Sequence, residues 1–454
     1  MNLLKKIKIE LWVLFLIGLL SLILAISTGI LVRQELVGSS KFGIFSKTAL
    51  FLAEIPMNLK TIYRGQSYDL KVNLTSDSRF QNISEFQGKP LNNEIYLLLS
   101  RYDGNSKRSI VELVDLRNFE IKKTWNPNID QINTLVDTSQ PEFEYIDRDH
   151  NANKFRILHP ILTEDGGLIF KHYTPLIKID KNSELVWLNQ EDAFHHSIEQ
   201  DHNGDFWVPT RAFPYKVDKN YVGSNYGNYL DDQITKVSAD GEILFQKSVS
   251  NILIENNLKA LLFTKKHFIH DPMHLNDIQP ILTDGQYWKR GDVFLSLRHL
   301  SMIILYRPST NKILWKSEGN ISSQHDVNIL DDHRISIFNN NAYSYFNGNS
   351  VDENNQVIIY NFSNESYSKY LNKSLKQHEV RTITEGRSMI LGNNDLFVEE
   401  SNYGRLLYFN EDASLQWQYV NRAKNDNVYL LNWSRIIHKS NDINKVRKIL
   451  KKGG

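Results

Sequence analysis

Hydrophobic positions along the chain fall into two regimes. Leu11 to Val32 is a run of about 22 residues without a charge, long enough to span a hydrocarbon core as one helix. From residue 93 onward apolar residues come in short runs, many alternating with polar ones and bounded by Asn, Asp, Ser or Gly, which predicts strands joined by tight turns. Between the two regimes, Phe45 to Leu52 has helical patterning that is expected to stop before Pro56. Residues 57–90 read as short alternations with turn residues, a stalk followed by a small β segment.

The strand-like region repeats. Four segments superimpose, beginning at Ile157, Phe194, Gln324 and Gln377, each with a histidine at or near its start, then an alternating run, an Asp/Asn/Glu-Gly-like turn and a second apolar strand. A third and a fourth strand follow, and a fifth copy begins at Met273 with a longer first turn. Four short strands per unit, repeated about every 40 to 50 residues, predict a β-propeller. A sixth unit is split: residues 94–125 supply three strands, and VYLLNWSRII near the C-terminus supplies the missing one. An open solenoid or a pair of sandwiches would not need such complementary deficits at the two ends. The expected fold is therefore all-β, a six-bladed propeller closed by N- and C-terminal strands and preceded by a transmembrane helix. Its expected divisions are a cytoplasmic N-terminus (1–10), a signal-anchor helix (11–32), a stalk and small β segment (33–90), the propeller (91–437) and a basic tail (438–454).

Charge and cysteine content narrow the function. The 454 residues carry a formal net charge of +1, without the basic excess that a nucleic-acid binder needs, so that class is set aside. No cysteine is present, which excludes disulfides, thiolate catalysis and Cys-based zinc sites. Lys5, Lys6 and Lys8 precede the apolar run and only Arg33 closely follows it, which predicts a cytoplasmic N-terminus, a retained anchor and everything downstream outside.

In a propeller the first strand of each blade lines the channel, and the end of the antiparallel second strand lies beside its start. His159, His196, His274, His325 and His378 stand at the expected first-strand starts, so they should gather at one mouth. The expected second-strand ends add Lys171 with His172, Arg211, Arg298, Asn340 and Asn393. His195 should face away along an extended strand, and His202 should be an exposed turn residue. A repeated histidine could also serve only to satisfy a backbone group, and for His159 and His378 both readings stand; His196, His274 and His325 with Arg298 point to function.

Such a mouth could bind a transition metal, hold an anion, or use one imidazole as a nucleophile. Carboxylate co-ligands are not evident and Arg298 would oppose a divalent cation, so no metal is expected. The insertion Ile252 to Lys266 reads as a helix, either a lid or a surface decoration, and Lys445 to Lys452 as a solvated tail or a contact for acidic lipid head groups.

Three motifs in order carry a resemblance: His-x-Asn at His274 and Asn276, Ser-x-Arg-His at Ser296, Arg298 and His299, and Gln-His-Asp at Gln324, His325 and Asp326. Together they resemble the arylsulfotransferase family of bacterial periplasmic propellers, along most of residues 90–437. The resemblance implies sulfuryl transfer from a phenolic sulfate ester to a phenol, with no nucleotide sulfate donor, cofactor or metal, by a ping-pong route through a sulfohistidine. Carried over by motif, His325 matches the nucleophile, while His196, His274 and Arg298 match residues that hold the sulfuryl oxygens and assist proton transfer. Asn276, Arg211 and His378 are expected to bind substrate. The expected partners are the donor, the acceptor and the bacterial inner membrane through a single pass, with the propeller in the periplasm; self-association is left open. Family members often carry a disulfide, which this chain cannot form. The competing class is a non-catalytic exported propeller whose rim binds an anion or a protein partner.

Overall fold

The computed structural model describes residues 10–36, 40–63, 79–80, 82–139, 143, 146, 150–223, 229–263, 268–317, 319–345 and 348–451. The chain divides into two compact units, residues 1–69 and 70–454.

The first unit holds two helices. The first, α1 (Leu11–Leu36), contains the apolar stretch Leu11–Glu35, which is long and apolar enough to cross a membrane and is not buried by protein. Lys5, Lys6 and Lys8, on which the expected orientation rests, lie outside the described residues. The second helix, α2 (Ile44–Tyr63), corrects an expectation: it runs through Pro56 rather than stopping before it. Proline removes one hydrogen bond and crowds the carbonyl four residues back, which an otherwise bonded helix can absorb locally.

The second unit is the propeller. Blade one pairs Arg435–Ile437 with Tyr96–Asp103, followed by Arg108–Asp115 and Glu120–Trp125. Blade two is Leu158–Leu162, Leu168–Lys171, Leu176–Ile179 and Leu185–Asn189. In blade three the first strand is broken into Ala193–Phe194 and Glu199–Gln200, ahead of Phe206–Arg211, Asp232–Val237 and Ile243–Ser248. Blade four is Leu275–Pro280, Val293–Leu297, Met302–Arg307 and Lys312–Lys316. Blade five is His325–Ile329, Arg334–Asn339, Gln356–Asn361 and Ser366–Tyr370, and blade six is Arg387–Ile390, Leu396–Glu400, Arg405–Phe409 and Leu415–Val420.

The side-chain period of two explains why the ring closes. In Tyr96–Asp103, Leu98 packs against blade two with Phe170 and Ile179, while Leu97 and Leu99 pack against blade six with Phe397 and Trp417. The same division recurs at every junction, giving one apolar cluster between each pair of neighbouring blades. Inner strands therefore read as nearly continuous apolar runs because both faces are covered. The C-terminal strand closes blade one in the expected way, Tyr96 opposite Ile437 and Leu98 opposite Arg435.

Several expectations change. Glu85–Gly88, placed in a separate β segment, is a fifth strand on the outer edge of blade six, pairing antiparallel with Leu415–Val420, so the ring begins before residue 91. Gly88 has φ +116°, and a Cβ there would lie 2.4 Å from the carbonyl oxygen of Gln416, so the close edge contact needs glycine. Blade six is displaced along the sequence: the expected first strand at His378 is instead the end of a helix, Asn372–Gln377, with His378 as its cap, and the run taken as the second strand is the first. Leu375 and Val380 fill the junction with blade five, and Leu396–Glu400 and Arg405–Phe409 are the strands of the blade buried on both faces.

The Ile252 to Lys266 insertion is two short helices, Val249–Glu255 and Ala260–Phe263, whose Ile252, Leu253 and Leu262 join the core between blades three and four; residues 264–266 lie outside the described residues. It is core packing rather than a lid. The basic tail is also ordered: Ser440–Lys451 is a helix with Val446 and Ile449 packed on blades one and two, Arg447 paired to Glu94 and Lys445 to Glu164. Lys452 lies outside the described residues. Finally, blade five carries an unforeseen hairpin, Ala342–Tyr345 with Gly348–Val351.

Candidate active site

The first strands line the channel. Their C-terminal ends, including Leu162, Gln200, Gln279, Asn328, Met389 and Ile437, surround one cavity of about 310 Å³, so their N-terminal starts lie at the opposite mouth. At that mouth the backbone departs from extended geometry. His159, His196 and His274 have φ of 50°, 54° and 53°, and the strands of blades two, four and five each shift register near their start. A non-glycine residue in the left-handed region costs on the order of 1 kcal/mol and persists only where its surroundings hold it. Here the turn aims consecutive side chains into one space.

His325 opens blade five. Its Nδ1 lies 2.7 Å from Oδ1 of Asn340, whose Nδ2 donates to the carbonyls of Thr382 (3.0 Å) and Glu385 (2.8 Å). Two carbonyl acceptors fix the amide, so its oxygen faces the imidazole and His325 must donate from Nδ1. The lone pair is then on Nε2. Burial first, and the charge of Arg298 second, push the His325 pKa down to about 3, so the ring is neutral near pH 7.

His196 and His274 meet edge to face with ring centroids 4.8 Å apart, and His274 stacks on His299 at 4.4 Å. Burial, then the charges of His195, His274, Lys171 and His325, hold the His196 pKa well below its ordinary value. His195 does not face away. Because His196 is left-handed rather than extended, the two Nδ1 atoms lie 2.7 Å apart, and Nε2 of His195 is 3.4 Å from Asp232. The buried Lys171 Nζ donates to the His196 carbonyl.

Arg298 follows the second strand of blade four, and its Nε is buried without a hydrogen-bond partner. Arg211, at the end of the second strand of blade three, has Nε 3.8 Å from Asp232. Asn276 donates to the Gln324 carbonyl (2.8 Å) with its Oδ1 unpartnered, while Gln324 donates to Ser296 Oγ and the Met302 carbonyl. The three resembling motifs thus interlock. Beside them a cleft of about 260 Å³ is lined by Arg298, His299, Ser301, Ser323 and, from the hairpin, Tyr343.

His159, His196, His274, His325, Arg298 and Arg211 therefore gather at one mouth, and His378 does not. His378 is half-buried between Phe409 and the charge of Arg405. His159 stacks on Trp433 with a buried, unpartnered Nδ1. Asn393 lies in the turn between the first two strands of blade six, at the far end from the mouth, and that blade brings Glu385, Glu399 and Glu400 instead. His172 leaves the cluster to accept from the Arg156 amide, and His202 is exposed in its turn.

Asp271 was not foreseen. Its carboxylate is 2.7 Å from His274 Nδ1 and its carbonyl accepts from His299 Nδ1 at 2.8 Å. The expectation that no carboxylate accompanies the imidazoles is thereby corrected, and Asp271, His274 and His299 offer ligand atoms within 4.8 Å of one another. In this arrangement those atoms hydrogen-bond among themselves. The signal was an Asp three residues before His274, where Pro272 disfavours helical backbone.

The sequence profile of the arylsulfotransferase (ASST) family matches residues 159–422. No curated protein sequence matches the chain. Among solved structures, a Bacteroides caccae protein of unknown function is similar at 10% identity, covering 76% of this chain and 100% of its own, with a TM-score of 0.44. A virginiamycin B lyase from Staphylococcus aureus is similar at 12% identity, covering 75% and 90%, with a TM-score of 0.36.

Proposed function

The chain belongs to the arylsulfotransferase family, and from that premise we propose that it moves a sulfuryl group from a phenolic sulfate ester to a phenolic acceptor through a sulfated His325. In the first half-reaction the Nε2 lone pair of His325 forms the N–S bond as the ester O–S bond breaks, releasing a phenoxide. In the second, the acceptor oxygen attacks sulfur, the N–S bond breaks, and the acceptor's proton passes to a neighbouring imidazole. Arg298 and His196 hold the equatorial sulfuryl oxygens, where fixed donors in a site shielded from water count most. Asn276 and Arg211 orient the donor, and Tyr343 offers an aromatic wall to the aryl ring. His378 takes no part in this reading.

The observation that supports it best is the Asn340 contact, which puts the His325 proton on Nδ1 and the lone pair on Nε2, while burial and the charge of Arg298 keep the ring neutral. A phenol of pKa about 10 leaves as phenoxide once its charge is held, so a neutral imidazole suffices as nucleophile. His325→Asn is expected to lose at least about 10⁴-fold in aryl sulfate turnover, as loss of a covalent nucleophile does. Mass spectrometry of the wild type after donor alone should find sulfate on His325. Transfer that survives in the variant would overturn the nucleophile; a folded wild type inert toward several aryl sulfates would overturn the reading itself. The same reading takes α1 as a signal anchor with the propeller in the periplasm, which protease access to intact spheroplasts checks.

A further inference from the structure

We infer that Asp271 is a positioning residue that fixes the tautomer of His274 and thereby makes His274 the base for the acceptor phenol; the inference rests on the sulfuryl-transfer reading above. A carboxylate can only accept, so the 2.7 Å contact with Oδ2 requires His274 to carry its proton on Nδ1. The second ring nitrogen, Nε2, then bears the lone pair and makes no hydrogen bond to the described residues. His299 repeats the arrangement through the Asp271 backbone: its Nδ1 donates to the carbonyl at 2.8 Å, and its ring stacks on His274 at 29°. One residue thus sets two imidazoles, the carboxylate one and the carbonyl the other.

The support around Asp271 is built to hold. Arg298 N donates to the His274 carbonyl and His299 N to the Met273 carbonyl, tying residues 273–274 to 298–299. Pro272 disfavours helical backbone at Asp271. Burial favours the neutral carboxyl, but the hydrogen bond from His274 and the nearby Arg211 guanidinium act against it, and the Asp271 pKa lies below its ordinary value, so Asp271 stays ionised. Its other oxygen, Oδ1, is buried without a partner, so the carboxylate is committed to the imidazole side. An ionised partner on Nδ1 stabilises the imidazolium that forms when Nε2 takes a proton, as an aspartate does for a histidine base in acyl transfer. His196 and His325 lack such a partner: the first leans on another imidazole and the second on a neutral amide.

Asp271→Asn separates the two half-reactions. With 4-nitrophenyl sulfate, whose leaving group needs no proton, sulfation of His325 is expected to stay within about 5-fold of wild type, because no general acid is required. Transfer to unsubstituted phenol should fall by about 10²-fold or more, the ordinary contribution of a general base, and an acceptor already ionised at the assay pH should restore it. Equal loss in both half-reactions, no loss, or a loss indifferent to acceptor pKa would overturn the inference. Should the variant not fold, nitrogen-15 NMR of the wild type reads the His274 tautomer directly: an Nδ1–H ring supports the proposal and an Nε2–H ring overturns it. A wild type that never sulfates His325 would sink the parent reading instead, a distinct outcome.

Discussion

The two ends of the channel are built from the same six strands and differ in how their charges are settled. At the histidine mouth, polar atoms are buried without hydrogen-bond partners: Nδ1 of His159, Nε of Arg298, Oδ1 of Asn276 and Oε1 of Gln324. Further along the channel charges meet in pairs, Arg387 with Asp326 at 3.0 Å, Arg435 with Glu199 at 3.0 Å, and Lys236 with Asp201 at 2.8 Å. Nη1 of Arg387 and the neighbouring Ser388 Oγ are left without partners there. An unsatisfied buried polar group costs about 1–3 kcal/mol. The open valences at the histidine mouth are those the proposed reading assigns to the sulfuryl donor.

Three changes would break or sharpen that contrast. The largest concerns the paired charges: Arg387→Met strands Asp326 in the interior, next to His325, and should destabilise by about 3–5 kcal/mol, read as a lowered denaturation midpoint. An unchanged midpoint would mean that this pair does not hold blades five and six together. Next, Arg298→Lys keeps the charge but loses the planar fork, and is expected to cost about 10²–10³-fold in kcat/KM with little change in Tm, by steady-state kinetics and calorimetry.

The smallest effect is a pH dependence. Asp277 is buried between blades, where burial and the charges of Glu199 and Asp326 push its pKa up to about 8. Because the folded state holds the proton more tightly than the unfolded chain, this contribution to stability is complete below the unfolded value, 3.8, and is lost as pH rises through about 8. Asp277→Asn keeps an acceptor for the Val327 amide and should flatten Tm between about pH 5 and 8, raising it at the alkaline end. A Tm profile with unchanged slope would show that Asp277 is not the group responsible.

Much of the ring was legible because strands covered on both faces leave apolar runs that polar loops cannot imitate. Leu97–Leu99 and Val293–Leu295 are such runs, and the split blade followed from the first of them. Blade six misled because Gln377-His378 copies the Gln324-His325 opening, while helix formation over Asn372–Gln377 claims those residues locally. The outer strand Glu85–Gly88 is short and exposed, without an alternation of its own. The hairpin after Asn340 has no apolar face to announce it. At the site, the residue types and their order were visible, but the side on which His195 falls depends on a left-handed φ at His196, a conformation a histidine sequence does not signal. Asp271 stood in plain sight beside a proline, yet only the return of blade four brings it under both imidazoles.

The closure of blade one also carries a consequence in time. The partner of Tyr96–Leu98 is Arg435–Ile437, made about 340 residues later. At a synthesis rate of about 5–20 residues per second, that is a delay of roughly 20–70 s. Throughout it a hydrophobic strand presents unpaired amides and carbonyls to whatever chain is near. The most vulnerable moment of this molecule therefore falls during its own manufacture, before the last strand arrives to take its place.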